Sequence, residues 1–404
     1  MKRPSAAGPS LLVLNCGSRT LKTALFRCDG GAPPHLVLSA LVEASARNSD
    51  SQISIKDATG ASLFDAPIAS ESSGDSGVQT LLDWLDSNGY TSSLLAAGHR
   101  IVHGGPHCVR SQRITPELVA ELRNLIPLDP DHAPAALRAI DYVALRFPAL
   151  PQVACFDTAF HASLPDVARL YAIPRRFFDR DIRRYGFHGL AYESVLNQLR
   201  VPEPALSRGR FILAHLGSGA SIAAVRDGQS IDTSMGLTPL EGLVMSTRSG
   251  DVDPGALLYM LGEGGLSHEK LDHLLNKESG LLGVSETSAD MRELLQKEAI
   301  DTRAAVAVQL FCYRVKKYIG AYAAALGGLD VLAFSGGIGE NAPVIRERIC
   351  AGLDFLGVDI DPSANQANSP LISRTTSRVK ICVVRADEES VIAQHVFSVL
   401  KSAA

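Results

Sequence analysis

Several things are missing from this 404-residue sequence, and each absence narrows what it can be. No Cys-x-x-Cys pair occurs among its seven cysteines (Cys16, Cys28, Cys108, Cys155, Cys312, Cys350 and Cys382), and their number is odd. Scattered cysteines build neither a disulfide framework nor a zinc ribbon. They fit reduced thiols packed as small apolar residues in a cytoplasmic protein. No apolar run approaches the roughly 20 residues of a membrane-spanning helix. The most apolar stretch, Tyr318–Phe334, is interrupted by Gly327, Gly328 and Asp330. Near the N-terminus the run Leu11–Leu14 is shorter than the roughly 7–15-residue core of a signal peptide. Basic charge is not in excess: 39 Lys and Arg against 43 Asp and Glu give a net charge of −4. That argues against nucleic acid as a partner, as the missing apolar run argues against a membrane. Finally, neither G-x-x-x-x-G-K-[ST] nor G-x-G-x-x-G with a following ribose-binding acid occurs, which excludes a P-loop and an obvious Rossmann protein.

What is present is ordinary for a folded protein, with 46% hydrophobic and 20% charged residues. The length suggests two or three domains. Leu11–Asn15 reads as a buried strand, Gly17–Ser18 as a turn and Leu21–Arg27 as the returning strand. Leu36–Ala44, Ser51–Ile55, Leu94–His99 and Val153–Asp157 read as further strands, and Ser70–Ser76 as a loop. Thr115-Pro116-Glu117 caps a helix, and Val78–Asn88 forms another, closed by Gly89. Phe211–His215 and Ser221–Arg226 form a second strand–turn–strand. Thr302–Leu326 is a long helix stopped by Gly327-Gly328. Val331–Phe334 and Lys380–Arg385 are strands, Asp361–Ser377 is a surface loop, and Glu388–Leu400 is a last helix. Alternation of strands and helices implies an α/β protein with a largely parallel core. Asn15, Gly17 and Ser18 align with His215, Gly217 and Ser218 at an offset of 200 residues, an internal echo at about half the chain length.

Three Gly-rich segments follow apolar strands: Asn15–Ser18, His215–Gly219 and Gly336–Asn341. Glycine lets backbone N–H groups approach an anion closely, although ordinary turns also use glycine. Three in one chain favour nucleotide binding. Arg100 and Arg248 stand beside such turns, where planar guanidinium groups suit carboxylate or phosphoryl oxygens, unless they are simple ion pairs. Asp157 ends a buried strand, a place for a ligand-binding carboxylate or for a helix cap. His99, His103 and His107 have metal-face spacing, but Gly104-Gly105-Pro106 breaks any helix there and argues against zinc. His188 sits between Phe187 and Gly189, either catalytic or merely exposed.

Taken together, these segments resemble the acetate kinase family. The resemblance rests on Asn15-Cys-Gly-Ser-Arg-Thr-Leu-Lys22, Gly98-His-Arg100-Ile-Val-His-Gly-Gly105 and Phe156-Asp157-Thr-Ala-Phe-His161. It continues through Arg184-Tyr-Gly-Phe-His188-Gly189, His215–Ile222, the highly specific Asp232–Pro254, Phe334–Asn341 and Asp387-Glu388-Glu389. It covers about residues 11–398. It implies an α/β fold of two ribonuclease-H-like domains of the actin, sugar-kinase and chaperone ATPase type around a nucleotide cleft. The expected domains are residues 1–158 with 388–404, and residues 159–387.

The implied activity is reversible ATP-dependent phosphorylation of acetate to acetyl phosphate, with propionate or another short-chain acid as the alternative acceptor. A nucleotide-binding sensor without turnover is a further alternative. The resemblance implies a Mg²⁺ (or Mn²⁺) site at Asn15 and Glu388. ATP or ADP would be held by Lys22, by His215, Leu216, Gly217, Ser218 and Gly219, by Asp290, Met291 and Arg292, and by Gly337, Ile338, Gly339, Glu340 and Asn341. Catalysis would fall to Asp157, His188, Arg248, Arg100 and His132. Arg100, Val102, Phe187 and Pro239 would bind the acyl substrate. A homodimer is implied by the family alone. Three departures stand out: Arg19 where the family has Ser or Thr, Asp131 where it has an apolar residue, and Leu190-Ala191-Tyr192 where it has Thr-Ser-His.

Overall fold

A computed structural model describes residues 8–17, 20–44, 51–68, 75–200 and 208–402. Ser18, Arg19 and most of the expected loop at 70–76 lie outside the described residues, so the question of Arg19's charge does too. The chain divides into two compact units, Met1–Ala159 with Asp387–Ala404, and Phe160–Ala386.

The first unit carries β1 (Ser10–Cys16), β2 (Thr20–Arg27), β3 (His35–Ala44), β4 (Ser51–Asp57), β5 (Ser62–Ile68), β6 (Leu94–Ile101), β7 (Gln112–Arg113) and β8 (Gln152–Phe156). They form one sheet in the order β5-β4-β3-β2-β1-β6-β8-β7. β1 is the uninterrupted apolar run seen in the sequence, and every one of its residues is buried. A strand covered on both faces needs no polar alternation. Helix Glu388–Ser402 packs over β1 and β6. Contact is so close that a methyl group on Gly98 would stand 2.5 Å from Val396 Cγ2 and 2.8 Å from Ile392 Cγ2.

The second unit carries β9 (Arg210–Leu216), β10 (Ala220–Arg226), β11 (Gln229–Thr233), β12 (Val331–Ser335) and β13 (Lys380–Val383), in the order β11-β10-β9-β12-β13. Helix Thr302–Leu326 lies on β9 and β10. Asp301 caps it by accepting from Arg303 N and Ala304 N, and Gly327 ends it at φ 70°. Phe311, Val315, Ile319 and Tyr322 form its buried face.

Neither sheet is largely parallel, as alternation had suggested. β1 to β5 run antiparallel in succession, while β1–β6 and β6–β8 are parallel. Short turns can join only antiparallel neighbours, whereas parallel pairs need a crossover. The second sheet repeats the pattern: β9–β10 and β10–β11 antiparallel, β9–β12 and β12–β13 parallel. Thus β3-β2-β1-β6-β8 and β11-β10-β9-β12-β13 are the same five-strand arrangement built twice. Asn15 and His215 occupy the same place in each, one residue before the end of the central strand.

Candidate active site

In the first unit the parallel strands β1, β6 and β8 deliver polar groups at their C-terminal ends, where open α/β sheets bind ligands. Asn15 lies near the end of β1, Arg100 near the end of β6, and Asp157 directly after β8. Arg100 Nε and Nη2 both donate to Asp157 Oδ2, at 3.1 and 2.6 Å. Arg100 Nη1 donates to Asn15 Oδ1 at 3.1 Å and lies 3.6 Å from Glu388 Oε2. Burial works against the guanidinium's charge, but Asp157 and then Glu388 outweigh it and raise its pKa. Asp157 therefore serves Arg100, although a helical turn begins at it.

Asn15 Nδ2 donates to Glu388 Oε2 and to Glu389 Oε1, each at 2.8 Å. Its amide is thus fixed at both ends. Sequence reading assigned Glu388 but gave Glu389 no role. Burial, and then the charge of Glu388, raise the Glu389 pKa, with Asn15 and Lys22 opposing. Two adjacent carboxylates in this state fit a divalent cation, which would relieve their repulsion. Mg²⁺ characteristically takes one or two carboxylates and completes its shell with water and phosphate. No larger cage of His, Cys, Asp and Glu side chains occurs among the described residues. His99 is buried in β6, and burial holds its pKa down to about 4. A second dyad went unread in the sequence: His132 Nδ1 and Asp129 Oδ1 are 2.8 Å apart, with Asp129 buried. Val102 is buried and Asp131 half-buried.

The second unit gathers His188, His215, Gly219, Arg248 and Pro239. The imidazoles of His188 and His215 stand 4.9 Å apart, centre to centre. A methyl group on Gly219 would lie 3.5 Å from His188 Nε2 and 3.9 Å from Arg248 Nη1, so both groups converge on that turn. His215 Nδ1 lies 3.1 Å from Ser335 Oγ, tying the ends of β9 and β12 together. Arg248 Nη1 donates to Pro239 O at 3.2 Å. His188 has φ 59°, in the left-handed region, a strained conformation of the kind that persists when its surroundings over-determine it. Phe187 is buried, and its carbonyl lies 3.0 Å from His161 Nε2.

Arg184 explains why the segment after Asp232 holds its shape without regular structure. Its Nη1 donates to the carbonyls of Thr233, Ser234 and Met235 at 3.0–3.1 Å, and its Nη2 to Glu241 Oε1 at 2.6 Å. Asp251 adds a second anchor, accepting from Gly242 N at 2.9 Å and from the Tyr318 hydroxyl at 2.7 Å.

The third Gly-rich segment is not a turn. Gly336–Asn341 is a short helix. Glycine is a poor helix former, so tertiary contacts hold it. Gly336 has φ 76°, and a Cβ there would stand 2.7 Å from Leu216 O. Glu340 Oε1 accepts from Gly336 N at 2.9 Å. Arg346, fully buried, donates to Gly339 O and Glu340 O at 2.8 and 3.0 Å. Its other contacts are Asn365 Oδ1, Asn365 O and Asn368 Oδ1, at 2.6–2.8 Å. Gly337 N would lie 3.9 Å from a Cβ on Gly217, so this helix and the His215–Gly219 turn adjoin. Asp290 caps its helix and pairs with the exposed Arg292, whereas the Met291 side chain is buried.

The same mixed five-strand sheet built twice, with Asn15, Arg100 and Asp157 at strand ends in one copy and glycine turns, histidines and an arginine in the other, defines a two-unit α/β phosphotransferase. The acetokinase family model matches residues 10–394. Acetate kinase of Methylocella silvestris is 42% identical over 402 residues, covering 96% of this chain and 98% of that one. Porphyromonas gingivalis acetate kinase has a solved structure that superposes with a TM-score of 0.85 at 37% identity, over 97% of this chain and 100% of that one. A propionate kinase from Francisella tularensis superposes with a TM-score of 0.87 at 38% identity, over 96% and 98%. The chain belongs to the acetokinase family. Among the described residues no helix is long and apolar enough to cross a membrane.

Proposed function

We propose that this chain transfers the γ-phosphoryl group of ATP to acetate, reversibly, giving acetyl phosphate and ADP, with propionate as a second acceptor. The observation that carries this reading is the convergence of His188 Nε2 and Arg248 Nη1 on the Gly219 turn. There backbone N–H groups, a guanidinium and an imidazole can meet phosphoryl oxygens together. A carboxylate is already a nucleophile, so no proton need be removed. One acetate oxygen forms a bond to the γ-phosphorus as the bond from that phosphorus to the ADP oxygen breaks. The obstacle is repulsion between two anions and the need for in-line placement. Arg100, kept charged by Asp157 and Glu388, suits the acyl carboxylate. Val102, Phe187 and Pro239 suit its methyl end. Arg248, His188 and His132 suit the phosphoryl oxygens in transit.

For the nucleotide, Lys22 and the turn His215–Gly219 suit the phosphates, while Gly337–Asn341 and Asp290–Arg292 suit the adenosine. Glu388 and Glu389, ordered by Asn15, would hold Mg²⁺ or Mn²⁺, which supplies charge neutralisation at the phosphates. We place the protein in the cytoplasm. A homodimer is supported by family membership and by the exposed apolar residues Leu258 and Tyr259 on helix Pro254–Leu261. The test is trapping of acyl phosphate by hydroxylamine with ATP, Mg²⁺ and acetate, propionate or butyrate. Acyl hydroxamate with acetate is expected. Nucleotide binding without hydroxamate from any acid would replace the kinase reading with that of a sensor.

A further inference from the structure

Helix Gly189–Arg200 starts directly after His188 and places Tyr192 one turn on, with Tyr192 N donating to His188 O at 3.0 Å. Tyr192 is fully buried. Its ring packs against Phe160, His161 and His215, with centroids 5.8, 5.7 and 6.4 Å away. Its hydroxyl is hydrogen-bonded with Ser221 Oγ, and the same Ser221 Oγ lies 2.9 Å from His188 Nδ1. Ser221 is itself buried and opposes His215 across the β9–β10 pair. Tyr192 thus stands where the sequence departs from its family's Thr-Ser-His, and it reaches His188 through one serine.

A serine hydroxyl carries a single proton. If Ser221 gives it to His188 Nδ1, Ser221 must accept from Tyr192, and the neutral imidazole carries its hydrogen on Nε2. If Ser221 gives it to Tyr192 instead, Nδ1 carries the hydrogen and Nε2 presents a lone pair. A phenol, with a pKa of about 10, is a much better donor than an aliphatic hydroxyl. We infer that Tyr192 and Ser221 form a relay that fixes His188 as the Nε2–H tautomer, aiming a hydrogen-bond donor at the Gly219 turn. Tyr192 is a positioning residue, acting through His188. The relay rests on the reading of His188 as a donor to phosphoryl oxygens. A lone pair there would repel them, so the direction of the relay decides whether His188 helps or hinders.

The test uses the full chain labelled with ¹⁵N-histidine. Long-range proton–nitrogen spectra separate the two tautomers, and the His188 signals are identified by their loss in His188→Gln. In the unsubstituted protein Nδ1 is expected in the unprotonated range and Nε2 in the protonated range. Tyr192→Phe removes the relay's first donor and is expected to mix the tautomers. It should lower kcat about tenfold with KM for ATP within about twofold, because binding is retained and donor alignment is lost. Ser221→Ala should do the same, and it decides the matter if Tyr192→Phe does not fold. The relay is overturned if the unsubstituted protein carries its hydrogen on Nδ1, or if neither variant moves the tautomer. A moved tautomer with unchanged kcat overturns its bearing on the reaction. Correct tautomers in a protein that forms no acyl phosphate would refute the kinase reading and leave the relay standing.

Discussion

Replacing Arg100 by leucine separates what this residue does for the fold from what it does for the reaction. Its partner Asp157 is 0% exposed, while the Arg100 side chain is 13% exposed. Two guanidinium nitrogens share one carboxylate oxygen, so the substitution strips this buried carboxylate of its arginine partner. Removing one member of such a buried pair costs about 3–5 kcal/mol, most of it the penalty of leaving a buried negative charge without its countercharge. For a unit of this size each kcal/mol corresponds to about 2–4 °C, so Arg100→Leu should lower the melting temperature by roughly 6–20 °C. Adding Asp157→Asn removes the buried negative charge, and Arg100→Leu/Asp157→Asn should regain at least half of that loss. Activity should not return with it. In the hydroxamate assay both variants are expected to remain down by about 10²-fold in kcat, the scale of misplacing the acyl carboxylate that Arg100 is proposed to hold. Recovery of kcat to within about tenfold in the double variant would reduce Arg100 to a structural role. An unchanged melting temperature in the single variant would show that the pair carries no stability.

Burial holds His161 down to about 4 from an ordinary value of 6.5, with the Phe187 carbonyl opposing and Arg184 reinforcing the shift. A histidine kept neutral when folded contributes fully above its unfolded pKa, and that contribution is lost as pH falls from 6.5 toward 4. Urea unfolding of His161→Gln across that window should show a slope shallower by up to about 1.4 kcal/mol per pH unit, and an unchanged slope would refute the assignment. Arg346 holds the carbonyls of Gly339 and Glu340 with a rigid fork that lysine cannot reproduce. Arg346→Lys should raise KM for ATP about tenfold and leave KM for acetate within about twofold. Equal changes in both would mean general loosening of the second unit.

Much of the fold was legible because its central strands are continuous apolar runs bounded by glycine. β1, β9 and β12, and helix Thr302–Leu326, lie where the pattern put them. β5 was not legible: Ser62–Ile68 is half-exposed at the sheet edge, and its apolar residues have no run to announce them. Gly336–Asn341 reads as a Gly-rich turn because its helix depends on Arg346, Glu340 and the neighbouring Leu216, not on local propensity. The site's charged residues, and the pairing of Asp157 with an arginine, were legible through family motifs, yet several other partners were not. Asp129 looks like a turn residue beside Pro130, and only the folded chain sets it against His132. Arg346 looks like a surface arginine until Asn365 and Asn368, some twenty residues on, close over it. Glu389 seemed a bystander to Glu388 because sequence gives adjacency without direction.

The bond from Asn15 to Glu388 joins residues 373 positions apart, and the helix that brings Glu388 also covers β1 and β6. At roughly 5–20 residues per second, a growing chain waits about 20–75 s between making the two. From the completion of β8 at Phe156 until Glu388 is made, the first unit has its strands but not its closing helix, and the apolar face around Gly98 stands open. All of the second unit is synthesised meanwhile and can fold first. The two glutamates therefore arrive last, so an unfinished chain can order Arg100 against Asp157 but cannot yet assemble the pair of carboxylates.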